Sequence, residues 1–150
     1  MPGAPIDDRR RGDMALQYDD VQVGDEAPSI THALTRTDLV KYAGASGDFN
    51  PMHHDEVAAQ AAGLPSVFGH GMLSMGLLGK AITDYVGIEN LRSYQVRFTK
   101  QTWPGEELTT SVVVADKRAD DGEQVVELTV RLANADGEVK VEGTAVAAAA

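Results

Sequence analysis

Cysteine is absent from the 150 residues, which excludes disulfides and a thiolate nucleophile. Positive charge is scarce: 13 Lys and Arg stand against 23 Asp and Glu, a formal net charge of -10. A surface of that sign repels phosphate backbones and anionic lipid, so neither nucleic acid nor membrane is an expected partner. Long hydrophobic runs are missing too. The most apolar stretch, residues 72–86, is interrupted by Lys80 and Asp84 and falls short of the roughly 20 residues that a bilayer crossing needs. Arg9, Arg10 and Arg11 are not followed by the apolar segment of an export signal, and the expectation is a cytoplasmic protein. The length fits one domain, and a fold of this size removes about 68–70% of the extended chain's surface from water, enough for a core without covalent staples.

Residues 1–15 mix Pro, Gly and charges of both signs without a hydrophobic period, so the domain is expected over 16–150, behind a disordered tail. Met14 is a second candidate start. Ser29 to Leu34 alternates weakly, as a first strand would. Thr35 followed by Asp38 forms a capping-box-like helix start, with Leu39, Tyr42 and Ala43 inward until Gly44 and Gly47 stop the pattern. Residues 57–62 read as a short Ala-rich helix closed by Gly63 and Pro65. Residues 71–86 are apolar almost all around the helical wheel, which predicts a central helix covered on most sides. Gly71, Gly76 and Gly79 each cost that helix up to about 1 kcal/mol against Ala, so close backbone packing is expected at all three. After Leu91 the period becomes two, with Tyr94, Val96 and Phe98 on one face. The alternation continues over 108–115, 124–133 and 138–147, and Asp121-Gly122 and Asp136-Gly137 are favoured hairpin turns. The C-terminal half is expected to be an antiparallel meander, its sheet of about five strands curled around the one apolar helix in an α+β arrangement.

Spacing rejects several chemistries. Gly71 and Gly76 have the gap of a phosphate-binding loop, but Leu77 stands where its Lys belongs, and Gly69-His70-Gly71 lacks the third Gly of a dinucleotide fingerprint. Gly44-Ala45-Ser46-Gly47 resembles a nucleophile elbow with its last Gly displaced and no strand leading in. What remains is the loop Gly47-Asp48-Phe49-Asn50-Pro51-Met52-His53-His54-Asp55. Pro51 pushes Asn50 out of helical geometry, so the loop should hold a defined turn. Such a turn can aim Asp48 and His53 at one small volume, as activation of a water by general acid–base catalysis requires. Asp and Asn in turns also commonly bond only nearby backbone. His70 and Gly71 open the central helix, where unpaired N–H groups and the helix dipole favour negative charge on a ligand oxygen; the same residues can also serve only to cap and pack the helix. His53, His54, Asp55, Glu56 and His70 lack a recognised metal-ligand spacing, so no metal is expected. Arg92, Arg97, Lys100, Lys117 and Arg118 gather in the strand half, either as a solvated face or as a local site for a phosphate-bearing ligand.

G-D-F-N-P-M-H at 47–53, followed by H-G-M-L at 70–73 at the start of a long helix, resembles the MaoC-like hydratase family over roughly residues 16–148. The segments Met14-Ala15-Leu16, Val23-Gly24-Asp25 and Val96-Arg97-Phe98-Thr99 look especially like the catalytic B subunit of two-subunit (3R)-hydroxyacyl-ACP dehydratases (HadB type). The resemblance implies a hot-dog fold and the reversible hydration of enoyl thioesters of CoA or acyl carrier protein, without a cofactor. It implies that Asp48 and His53 activate the water, that Asn50 and His70 support the substrate site, and that the Gly71 amide meets the thioester oxygen. One family position departs: a Ser contributed further along the helix in the acyl-CoA hydratases corresponds here to Gly79. The family also implies two hot-dog units side by side, as a homodimer or as a heterodimer with a related chain. A non-catalytic acyl-binding or scaffolding subunit is the alternative, and a hot-dog thioesterase a weaker third.

Overall fold

The structure, a computed structural model, describes residues 15–150; the expected N-terminal tail falls, up to residue 14, outside the described residues. The chain begins with strand β1 (Thr31–Ala33), helix α1 (Arg36–Ser46), a 3-10 turn at Pro51–His53 and helix α2 (Glu56–Ala61). Helix α3 (Gly71–Val86) and a second 3-10 turn (Ile88–Asn90) then lead into β2 (Leu91–Phe98), β3 (Glu107–Asp120), β4 (Glu123–Ala133) and β5 (Val139–Ala148).

Thr35 caps α1 as its sequence predicts, accepting from the Asp38 amide while the Asp38 carboxylate accepts from the Thr35 amide. The helix runs through Gly44 and stops at Gly47, whose φ of 75° is the left-handed cap that a Cβ disfavours. Asp55 caps α2. Asp121 and Gly122, both at positive φ, make the tight turn between β3 and β4, matching the twist of the paired strands.

The sheet is fully antiparallel with strand order β1-β3-β4-β5-β2. The expected meander is therefore correct for β3, β4 and β5 and wrong for β2. Residues 99–106 are no two-residue hairpin turn, and they carry the chain across the end of the sheet, so β2 pairs with β5 at the far edge, Tyr94 opposite Ala145 and Val96 opposite Gly143. That pairing explains Gly143, because a Cβ there would come within 1.9 Å of the Gln95 carbonyl oxygen.

Leu78, Ala81, Ile82 and Val86 of α3 pack on Leu108, Val112, Val114, Leu128, Val130, Val141 and Ala145 of the sheet, forming one core around one helix. The helix is covered on most sides, as its wheel predicts: 11 of its 16 residues are buried or half-buried, and the exposed ones lie mainly along a strip through Met72, Gly76, Lys80 and Asp84. Met72 is 58% exposed, and a Cβ on Gly76 would meet nothing within 4 Å, whereas Gly71 faces Phe98 at 3.3 Å and Gly79 faces Tyr94 at 3.4 Å. The sheet covers one side of α3, Tyr42 and Ala45 of α1 border Leu73 and Leu77 on another, and among the described residues the strip through Met72 and Gly76 is left exposed. The cations of the strand half are dispersed. Arg92 pairs with Glu123 and Arg118 with Glu127, both at 2.8 Å, while the Lys117 ammonium sits over the Tyr18 ring, which fits a solvated face.

Candidate active site

The loop after α1 folds by local polar bonds. The Asp48 amide donates to Ser46 Oγ at 3.1 Å, Asp48 Oδ1 accepts from the Asn50 amide at 3.2 Å, and Asn50 Oδ1 accepts from the Met52 amide at 3.1 Å. Pro51 stands at the first position of the 3-10 turn that Asn50 caps, where its missing N–H costs nothing. Thus Asp48 and Asn50 do bond nearby backbone, and the product of those bonds is to turn His53 inward, to 7% exposure. Asp48 itself stays exposed.

His53 Nδ1 lies 2.6 Å from the Phe68 carbonyl oxygen. A carbonyl only accepts, so Nδ1 carries the hydrogen and the lone pair of the neutral ring is left on Nε2. His70, 1% exposed, donates from Nε2 to the Asp48 carbonyl oxygen at 3.2 Å. Its Nδ1 is buried without a partner. Burial holds the His70 pKa below the ordinary imidazole value; the bond to the Asp48 carbonyl opposes this and the neighbouring His53 adds to it. The ring of Tyr42, on α1, meets His70 edge-on at 4.8 Å between centroids.

Asp48, His53 and His70 therefore converge: each offers one polar atom within 4.8 Å of the others, and the three form the one cluster of metal-ligand composition among the described residues. His54, Asp55 and Glu56 are not part of it. His54 bonds the Phe49 carbonyl, Asp55 caps α2 and Glu56 pairs with Arg36. At the start of α3, His70 makes no side-chain capping bond, so the side chain leaves the first amides of the helix, Gly71 among them, open to a ligand oxygen.

Beside the Gly71 end lies a cavity of about 340 Å³, lined by Phe68, Gly69, Gly71, Ser74 and Phe98 and by the segment 99–102. Asp48 and His53 are not on its lining, but Phe68 links the two places, since its carbonyl holds His53. Sequence reasoning missed Phe68, Ser74, Phe98 and Thr102. Ser74 is polar yet 3% exposed on an apolar helix, a signal available in the sequence only as an odd residue on the inward face. Nothing local marks residues 99–102, which reach the site only because the segment 99–106 crosses the end of the sheet.

A family model described as MaoC like domain matches residues 21–135. The chain belongs to the MaoC-like family. Its fold is the hot-dog arrangement of that family, a five-stranded antiparallel sheet around a long helix. R-hydratase PhaJ1 from Pseudomonas aeruginosa superposes with a TM-score of 0.78 at 28% identity, covering 90% of this chain and 86% of that one. The ChsH1-ChsH2 complex from Mycobacterium tuberculosis matches with a TM-score of 0.75 at 25% identity, covering 87% of this chain and 99% of that one. In sequence, 3-hydroxyacyl-thioester dehydratase Y of Mycobacterium tuberculosis is 39% identical over 82 residues, 52% of this chain. The MaoC-like chain spans only 28% of that relative's length.

Proposed function

We propose that this MaoC-like chain catalyses the reversible addition of water to a trans-2-enoyl thioester, giving the (3R)-3-hydroxyacyl thioester, with the acyl group on CoA or acyl carrier protein and with no cofactor. The observation that carries the reading is the convergence of Asp48, His53 and His70, each offering a polar atom within 4.8 Å of the others, at the start of α3 where His70 leaves the Gly71 amide uncapped. The names of the relatives, dehydratase and R-hydratase, point the same way.

In this reading the thioester oxygen accepts a hydrogen bond from the Gly71 amide, which stabilises the enolate-like charge formed when oxygen adds at carbon 3. The water is held between Asp48 and His53. One of its protons passes to that pair, its hydroxyl bonds to carbon 3, and a proton delivered from the pair completes carbon 2, so atoms balance and the site returns to its starting charge. Dehydration is the reverse. An acid–base group typically supplies about 10²–10⁴-fold and an oxyanion donor about 10²–10³-fold. Asn50 and His70 act as supports here: Asn50 caps the turn that carries His53, and His70 ties the Asp48 carbonyl.

A second hot-dog unit completes the proposal, either an identical chain or a related one. Support comes from the exposed Met72 on α3, from Phe98, half-exposed at the end of edge strand β2, and from the two-chain ChsH1-ChsH2 relative. The cytoplasm is the proposed compartment, and a HadB-type role is proposed with it.

The test is loss of the enoyl absorbance of crotonyl-CoA, and of the corresponding crotonyl carrier-protein thioester, on adding purified chain, with chiral analysis of the product. Formation of the (3R) alcohol is expected. No hydration by the chain, alone or with a hot-dog partner, would leave the acyl-binding or scaffolding reading.

A further inference from the structure

Lys140 is fully buried, yet the proposed reaction does not use it. It sits at the start of β5, where an irregularity in the pairing between Leu132 and Ala133 of β4 lets two successive residues, Lys140 and Val141, both turn inward. Its ammonium has three hydrogens and three acceptors: Glu138 Oε1 at 2.6 Å, Glu106 Oε2 at 2.9 Å and the Gln101 carbonyl at 3.0 Å. Glu106 is itself committed, accepting from the Trp103 amide and from Asn134 Nδ2, both at 2.7 Å. The backbone joins in, because the Lys140 carbonyl accepts from the Thr99 amide at 2.9 Å and the Val139 carbonyl from Thr99 Oγ1 at 2.7 Å.

All of these bonds except the one to Glu138 grip residues 99–106, the irregular segment whose first part walls the cavity. The same segment holds the helix start. The Thr102 carbonyl accepts from the Gly69 amide at 2.8 Å, and the two residues touch so closely that a Cβ on Gly69 would lie 2.1 Å from Thr102 Oγ1. His70 and Gly71 follow directly. A buried ion pair is a poor source of stability, since apolar residues of similar volume often do as well or better. Its use lies in holding one geometry. Here that geometry is a backbone carbonyl with no strand partner, one residue from Thr102.

We infer that Lys140 is a positioning residue, which, through Gln101 and Thr102, sets the placement of the Gly69–Gly71 amides that face the thioester in the proposed reaction. It touches no substrate. The inference rests on that reaction for its effect on turnover, but not for its effect on the Gly69 amide.

Two readouts on Lys140→Met, which keeps the stem and removes the ammonium, separate the two. Amide hydrogen exchange at Gly69 is expected to quicken by at least about tenfold while Leu78 and Ile82, in the middle of α3, keep their protection. Turnover of crotonyl-CoA is expected to fall by about tenfold in kcat, with Lys140→Arg recovering part of it. Should Lys140→Met fail to fold, Glu106→Gln, which removes the opposing charge with little change of shape, carries the same readouts. Unchanged Gly69 exchange in a folded variant overturns the inference whatever the turnover. Altered exchange in a chain whose wild type hydrates nothing, alone or with a hot-dog partner, removes the proposed reaction and leaves the positioning intact.

Discussion

His53 and His70 stack, with ring centroids 3.9 Å apart and planes 27° from parallel, and each ring spends one N–H on a backbone carbonyl. The two bonds have different consequences. The one from His53 reaches Phe68 on the cavity side and leaves Nε2 as the proton acceptor. The one from His70 reaches the Asp48 carbonyl and so registers the loop bearing the other polar group. The stack is thus a joint between the loop after α1 and the start of α3, and Tyr42 of α1 adds an edge-on contact to His70.

Asp48→Asn and His53→Ala are each expected to lower turnover by at least about 10²-fold. Asp48 is exposed, and its Oδ1 bond to the Asn50 amide can be kept by an Asn carbonyl, so that variant should melt close to wild type. Steady-state hydration of crotonyl-CoA beside a thermal melt checks both. Near-normal turnover in either folded protein removes the water-activation assignment.

Gly69 and Gly71 should respond differently although only His70 separates them. At Gly71 a Cβ meets the ring of Phe98 at 3.3 Å, and Phe98 is 50% exposed and free to give way. Gly71→Val should therefore fold and lose about 10²-fold in turnover by crowding the oxyanion position. At Gly69 the obstacle is Thr102, 3% exposed and fixed, so Gly69→Ala is expected to cost about 1–3 kcal/mol of stability by overpacking. Equal melting losses in the two variants would show that the helix start is only a packing site.

How much of this was legible in the sequence varies with the range of the interaction. The Thr35 capping box, the Gly47 stop and the Asp121-Gly122 turn are local, and each was readable from a few neighbouring residues. The Asp48–His53 loop was readable too, because Pro51 and Asn50 dictate its shape from within. Where β2 pairs was not, since Asp-Gly turns mark the hairpins on either side of β4 and nothing marks the crossing over 99–106. For the same reason the cavity wall at Gln101–Thr102, and Lys140 behind it, stayed hidden. The even apolar wheel of α3 predicted burial without marking Met72 and Gly76 as the positions this chain leaves exposed.

The exposed strip of α3 leads to a prediction about mass. Met72 is 58% exposed and Phe98, on edge strand β2, 50%, and an edge strand offers unpaired N–H and C=O groups to another chain. Purified protein is expected at twice the chain's mass in light scattering, or at that mass only with a related partner. The contact should bury more than about 1,000 Å², the usual floor for a stable interface. A fully active monomer at assay concentration would defeat the two-unit proposal, whereas an inactive single species rescued by a second chain selects the heterodimer.

The last prediction concerns acid. His70 is held below the ordinary imidazole pKa mainly by burial, so the folded chain resists a proton that the unfolded chain accepts. Above about pH 6.5, the unfolded value, neither state carries it and the contribution of His70 is fully present. As pH falls below that value the unfolded state gains the proton first, and stability declines until pH passes the lower folded value. The titratable groups around the ring are Asp48, His53, His54 and, edge-on, Tyr42; protonating His53 would add repulsion in the same direction. His70→Gln keeps a donor for the Asp48 carbonyl and removes the titration. Urea unfolding at several pH values between about 7.5 and 5 should therefore show a shallower decline for the variant than for wild type, the difference being a fraction of one proton taken up on unfolding. Parallel curves for the two proteins would mean that His70 is protonated equally in both states, and the neutral strut drawn between α3 and the Asp48 loop would have to be abandoned.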